Sequence, residues 1–286
     1  MERTLCYVID QTHDGMKLER FLMAEQGFSR RTIRSLKQTP DYVQRNGVHI
    51  RMVDPIFAGD RIAVTLADKT ATTTPSDIKV PIVYEDEDLI IYNKPPFLAT
   101  HPSKLHQTDT LANAYAAYMG DSAVFRPVYR LDRDTDGLCV CAKNTHAAAV
   151  LAGNIQKTYT ALVCGTVEQD EGVVDAPIVQ LVPHQMKRGV RADGQRAVTH
   201  YRVKSRGTHY TLLELSLETG RTHQIRVHMA YIGHPLAGDT MYGTGGAPGR
   251  QALTCSQVHF IHPISGKSID FCIEMNKTWA ILMQNE

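Results

Sequence analysis

The 286-residue chain has one tryptophan, Trp279, six cysteines without a CxxC pair, and no apolar run near the roughly 18 residues that a membrane span requires. Cys6, Cys139, Cys141, Cys164, Cys255 and Cys272 fit neither a zinc ribbon nor a disulfide framework; most sit in apolar strings such as LCVCA and read as buried thiols. The N-terminus lacks the apolar stretch and small-residue cleavage site of a signal peptide, so a cytoplasmic location is expected. The glycine-rich segment Gly243 to Gly249 is followed by no Lys-Ser/Thr pair and reads as a surface turn, not a phosphate loop. Thirteen histidines show no metal-ligand spacing. His223 and His228 are about 140° apart on a helix, and His259 and His262 point to opposite faces of a strand. No metal and no cofactor is expected. Charge of neither sign dominates: 31 Lys and Arg face 30 Asp and Glu. A nucleic-acid partner would therefore need its cations clustered locally.

What remains is a globular composition, 43% apolar and 21% charged, enough for one or two domains. The stretch from Ala67 to Asp77, with four threonines and a proline, has linker composition. The expected organisation is a small domain over 1–67, a linker over 68–79 and a larger domain over 80–286. In the first, Leu18, Phe21 and Leu22 form an i, i+3, i+4 stripe on a helix ended by Gly27. Ser29 is an N-cap for a second helix reaching Lys37. Ile33 and Leu36 are its apolar positions, and Arg30, Arg34 and Lys37, at i, i+4 and i+7, share one face. Asn46-Gly47 marks a hairpin. A helix pair with a one-sided basic face ahead of a small hairpin resembles the S4 RNA-binding domain.

The second unit carries the unusual chemistry. The segment YRLDRDTDGL (129–138) sets three aspartates among arginines, then Gly137 turns the chain into an apolar strand. Such a pattern suggests a carboxylate held ionised by cations. Residues 157–163 read as a strand with Tyr159, Ala161 and Val163 on one face. Helix punctuation over 219–235, with Ile225, Met229 and Ile232 in register and Gly233 and Pro235 after them, places a helix from Thr222 to Ile232 with His223 and Arg226 in its first turn. Between His184 and Arg206, seven Lys and Arg accompany one acid, a candidate phosphate-binding arm.

YRLDRDTDGL, the KTY tripeptide at 157–159, TGRTHQIRVHMAYIGHPLAGDTMYG, NKPPFLATHP and the late FIHPISG together resemble the RNA pseudouridine synthases of the ribosomal large subunit type, in that family's order. The resemblance implies an α+β fold: the S4-like domain, then a catalytic domain with a mixed, mainly antiparallel sheet flanked by helices. It implies that Asp132 is the catalytic aspartate, Tyr159 stacks on the uracil, Arg226 pairs with the aspartate, and Arg130 helps displace the target base. Arg30, Arg34 and Lys37 would bind RNA. Two positions depart from the usual pattern: Tyr129 stands where the family has His, and Asp136 where it has Ser or Thr. The implied protein is a monomer acting on 23S ribosomal RNA, with no membrane association. A transfer RNA pseudouridine synthase and a catalytically inactive RNA-binding protein are the alternatives, the latter opposed by the intact Asp132, Tyr159 and Arg226. A glycoside hydrolase would need a second carboxylate set apart across the bond, and none stands out.

Overall fold

Ile62, Val64 and Leu66 are buried along one strand while Arg61 at its start stays exposed, and this alternation builds the first of two main cores. The computed structural model describes residues 2–68, 73–120, 123–274 and 277–284. In the first unit, β1 (Glu2–Val8) leads to α1 (Leu18–Arg20), which continues as a wider π-helical turn over Phe21–Glu25. The single helix expected from the apolar stripe is thus split, but Leu18, Phe21 and Leu22 are all buried. Next come α2 (Arg30–Lys37), β2 (Val43–Arg45), β3 (Val48–His49) and β4 (Arg61–Ala67). The strands form an antiparallel sheet in the order β1-β4-β2-β3. The Ser29 side chain caps α2 by accepting from the Thr32 N–H at 3.1 Å. Ile33 and Leu36 face the core, and Arg30, Arg31, Arg34 and Lys37 are exposed. Asn46 and Gly47 both take positive φ, 53° and 84°, as a tight hairpin requires.

The larger unit follows as β5 (Ile82–Glu85), β6 (Leu89–Lys94), α3 (Leu111–Met119), β7 (Asp136–Ala142), α4 (Thr145–Leu151), β8 (Gln156–Cys164) and β9 (Glu171–Asp175). A short ribbon of β10 (Ile178–Gln180) and β11 (Arg188–Val190) interrupts the sheet, which resumes with β12 (Val198–Arg206) and β13 (Tyr210–Leu217). Then come α5 (Gln224–Tyr231), β14 (Leu253–Ile261), β15 (Ser268–Cys272) and α6 (Lys277–Gln284). The main sheet runs β5-β6-β7-β14-β8-β13-β12-β9, with β15 also on β14. Every pair is antiparallel except β7 with β14, so the mixed, mainly antiparallel sheet is as expected. Along β7 every residue after Asp136 is buried, the pattern of a strand covered on both faces. Cys139, Cys141 and Cys255 are buried, whereas Cys6 and Cys272 are exposed, against the reading of most cysteines as interior thiols.

The parallel pair sets a tight constraint. Gly137 has φ +111°, and a Cβ there would lie 2.3 Å from the Cys255 carbonyl oxygen. Any larger residue would push β14 away from β7.

Of the expected linker, positions 69–72 lie outside the described residues. The chain on either side of them is held to the larger unit. Asp68 pairs with Arg126, Asn113 Nδ2 donates to the Thr74 carbonyl at 2.7 Å, and the Ser76 N–H donates to the Asn113 carbonyl at 3.2 Å. The two units also touch directly. Arg3 grips Asp88 through two hydrogen bonds of 2.9 and 3.1 Å, and Asn144 donates to the same carboxylate. Asp86, Asp88 and His262 converge nearby, but protein donors already occupy them: Asp86 accepts from Tyr84, from His262 and from the N–H groups of Asp88 and Leu89. Phe28 of the small unit stacks on His146 of α4 at 4.2 Å between ring centroids.

Burial lowers the His146 imidazole to about 4, and its Nδ1 has no partner. The unfolded chain, with an ordinary histidine near 6.5, binds a proton that the folded chain refuses between those values. Stability should therefore rise with pH through that window, being complete above about pH 6.5 and lost as pH falls towards 4. His146→Leu should flatten the slope of unfolding free energy there by up to about 1.4 kcal/mol per pH unit, measured by denaturant titration at a series of pH values.

Candidate active site

Close pairing of β7 with β14 brings the loop before β7 against the middle of β8. Tyr159, at the centre of β8, has Cys255 of β14 on one side and Leu215 of β13 on the other. The loop is fastened at three points. Tyr129 donates its hydroxyl to the Leu138 carbonyl at 2.8 Å, and the Lys157 ammonium lies 5.0 Å from its ring centre. Thr100 Oγ1 donates to the Leu131 carbonyl at 2.8 Å and accepts from the Leu131 N–H at 3.3 Å. Lys94 Nζ donates to the Arg133 carbonyl at 3.2 Å, and to those of Pro95 and Leu98 at 3.0 and 2.8 Å. Lys94 is fully buried, and burial lowers its ammonium to about 8. The residues on both sides of Asp132 are thus held, while no donor among the described residues hydrogen-bonds its carboxylate.

That carboxylate is 21% exposed and opens into a pocket of about 110 Å³ lined by Arg130, Tyr159, Thr222, His223 and Arg226 among others. Arg226 Nη1 lies 3.8 Å and His223 Nε2 3.9 Å from Asp132 Oδ2. The predicted pairing of Arg226 with Asp132 is the looser of two. The same guanidinium makes a fork of 2.7 and 2.9 Å onto Asp239, which is fully buried and also accepts the N–H groups of Met241 and Tyr242. Burial pulls the Arg226 guanidinium down, but Asp239 chiefly, with Asp132 and Tyr242 adding to it, leaves it raised. Burial alone would raise the Asp239 carboxyl; the fork from Arg226 and the two N–H groups hold it below its ordinary value.

His223 precedes α5 with φ 59°, in the left-handed region, so the helix begins at Gln224 and ends at Tyr231 instead of spanning Thr222 to Ile232. Its ring is turned onto Tyr242, whose hydroxyl lies 2.8 Å from Nδ1 and accepts the Arg188 N–H at 2.9 Å. Burial chiefly, with Arg226 adding to it, lowers the His223 imidazole. In the neutral ring the Tyr242 proton satisfies Nδ1, which puts the ring proton on Nε2, towards Asp132. Tyr159 is 7% exposed, and burial pushes its phenol well above the usual value, so the ring is neutral at physiological pH.

Arg130 is exposed at the pocket rim. Arg30, Arg34 and Lys37 line no part of this pocket; they lie on α2, where Lys37 donates to Glu19 at 2.8 Å. Of the two departures from the family pattern, Asp136 is held by Arg250 at 2.8 Å and Thr254 at 2.5 Å. The basic arm is not the +6 patch that local counting implies. Arg191 pairs with Asp193, Arg196 with Glu218, Arg202 with Glu171, Lys204 with Glu214 and Arg206 with Asp170. Among the described residues only Lys187 and Arg188 of the seven lack a carboxylate partner. Arg188 and Arg221 line a second pocket of about 490 Å³, adjoining the first at residues 220–222. The sequence reading missed Lys94, Thr100, His223, Asp239, Tyr242 and Arg250 as site residues, although NKPP and GDTMYG mark three of them.

Residues 88–231 match the family described as RNA pseudouridylate synthase. The chain is 38% identical to the uncharacterized RNA pseudouridine synthase YjbO of Bacillus subtilis, covering 92% of this chain and 96% of that protein. It is 37% identical to the ribosomal large subunit pseudouridine synthase D of Zymomonas mobilis, over 94% and 93%. Among solved structures, the human RNA pseudouridylate synthase domain containing 1 superposes with a TM-score of 0.57 at 24% identity, over 71% of this chain and 86% of that one, a likeness of fold.

Asp239→Asn removes one partner of a buried ion pair. It should cost about 3–5 kcal/mol of unfolding free energy, read from chemical denaturation.

Proposed function

This chain belongs to the RNA pseudouridylate synthase family and is an RNA pseudouridine synthase, an isomerase, and we propose that Asp132, Tyr159 and Arg226 carry its reaction on large-subunit ribosomal RNA. The reaction breaks the N1–C1′ bond of a uridine and joins C1′ to C5. C5 loses a proton and N1 gains one, so atoms balance with no oxidant or co-reactant. The observation that carries the assignment is the Asp132 carboxylate, free of hydrogen bonds from the described residues, between Arg226 and His223 in the pocket that Tyr159 also lines.

A carboxylate with its lone pairs uncommitted is available to C1′ as a nucleophile or to a sugar proton as a base. Arg226, fixed by Asp239, supplies the nearby positive charge without covering those lone pairs. Tyr159 offers its face to the uracil, an interaction worth about 1–3 kcal/mol per base. Its phenol, disfavoured as an anion by burial, suits a platform better than a base. Arg130 at the rim meets the RNA as the target leaves its stack, a step costing a few kcal/mol.

The ribosomal target rests on the names of the relatives: Zymomonas mobilis and Haemophilus ducreyi each have a protein called ribosomal large subunit pseudouridine synthase D, 37% and 38% identical to this chain. We read residues 1–67 as an S4-like RNA-binding domain and 80–286 as the catalytic domain. Support comes from the one-sided basic face of α2. Arg30 and Arg34 are exposed and have no carboxylate partner among the described residues, while Lys37 must exchange Glu19 for phosphate.

Asp132→Asn should bring pseudouridine formation below detection, with unfolding free energy within about 1 kcal/mol of wild type, since only loose ion pairs are removed. Pseudouridine mapping of a strain lacking the protein should show sites missing from large-subunit ribosomal RNA; a loss confined to transfer RNA would overturn the ribosomal assignment. Replacing Arg30, Arg34 and Lys37 together by Ala should lower the slope of log affinity against log salt by about 0.7–0.9 for each phosphate that is no longer neutralised. An unchanged slope would show α2 to be merely solvated.

A further inference from the structure

We propose that Phe97 is a stacking platform for an unpaired nucleobase flanking the target uridine. Pro96 and Phe97 are the central residues of a turn, and Phe97 takes φ 63°. A turn with Pro followed by a residue of positive φ normally has glycine there, because a side chain is strained in that conformation. Among the described residues the other non-glycine positions with positive φ are Asn46 in a hairpin turn, His223 in the candidate active site and His184 beside the β10–β11 ribbon. Strain of this kind persists where the surroundings enforce it, and it concentrates at ligand-binding positions. The core does not use the ring: Phe97 is 61% exposed, while Leu98 beside it is buried.

Its position ties it to the reaction. Lys94 and Thr100, three residues before and after Phe97, are the two anchors bonded to Arg133 and Leu131 on either side of Asp132. Phe97 therefore lies within about 10 Å of chain from both anchors, a span of roughly three nucleotides at 3.4 Å each. Arg130 and Lys104 are exposed on the same pair of loops. Extruding the target uridine uncovers the base beside it. An exposed aromatic held at fixed distance from Asp132 can cover that base, and stacking accepts any of the four bases because each has a π-face.

The proposal rests on the isomerase reading. The test measures initial rates of pseudouridine formation on total RNA from a strain lacking the protein, a pool holding the natural target whichever RNA carries it. Phe97→Gly suits the backbone, so its unfolding midpoint should be no lower than that of wild type. Its KM for RNA should rise about tenfold with kcat unchanged. Phe97→Trp should keep KM within about twofold of wild type. An unchanged KM in Phe97→Gly, or an equal loss in Phe97→Trp, would overturn the proposal; absence of product with the wild-type protein would instead strike the isomerase reading.

Discussion

The approach of β7 to β14 at Gly137 decides where everything else stands. Only a residue without a side chain lets the strand come so close to the Cys255 backbone, and among the described residues this is the one parallel strand pairing in the larger sheet. The loop ahead of β7 is thereby delivered beside Tyr159 on β8. Asp136, the first residue of β7, is tied across the same seam to Arg250 and Thr254, so an acid in place of the family's hydroxyl residue is accommodated by a guanidinium instead of left exposed. The candidate active site is thus a product of strand order first and of side-chain chemistry second.

Around Asp132 the electrostatics follow a division of labour. The proposed catalytic carboxylate has its lone pairs free of hydrogen bonds from the described residues and still has positive charge beside it. The fold meets both conditions by giving Arg226 a second, stronger partner in Asp239. The guanidinium is immobilised there and its field reaches Asp132 across 3.8 Å without a short bond. His223 adds a neutral ring, directed by Tyr242. The strained backbone of His223 and a helix shorter than expected at both ends accompany that orientation.

Short-range signals in the sequence were reliable because the physics behind them is local. The Ser29 cap, the Asn46-Gly47 hairpin, the buried stripe of Leu18, Phe21 and Leu22, and the stop at Gly233 each depend on a few neighbouring residues. Asp132, Tyr159 and Arg226 were legible through motifs, and they share one pocket. Arg250 was not, since its partner Asp136 lies far along the chain, and the motifs that hold Lys94 and Asp239 carry no sign of their contacts with Arg133 and Arg226. The basic arm misled for the same reason: counting within 184–206 found one acid, whereas Glu171, Asp170, Glu214 and Glu218 arrive from outside it to neutralise most of the excess. The linker composition was likewise blind to Asn113 and Arg126, which hold the chain on both sides of the segment.

The clasp of Arg3 on Asp88 and the stack of Phe28 on His146 turn two units into a ruler. With α2 as the proposed RNA-holding face, its separation from Asp132 is set by packed side chains and not by the reach of a tether. An RNA that offers a phosphate ridge and an extrudable uridine at the matching spacing engages both at once, with little entropy left to lose. One that offers them at another spacing must forgo one of the two or break the clasp. Selection among uridines of identical local chemistry can then be made by distance.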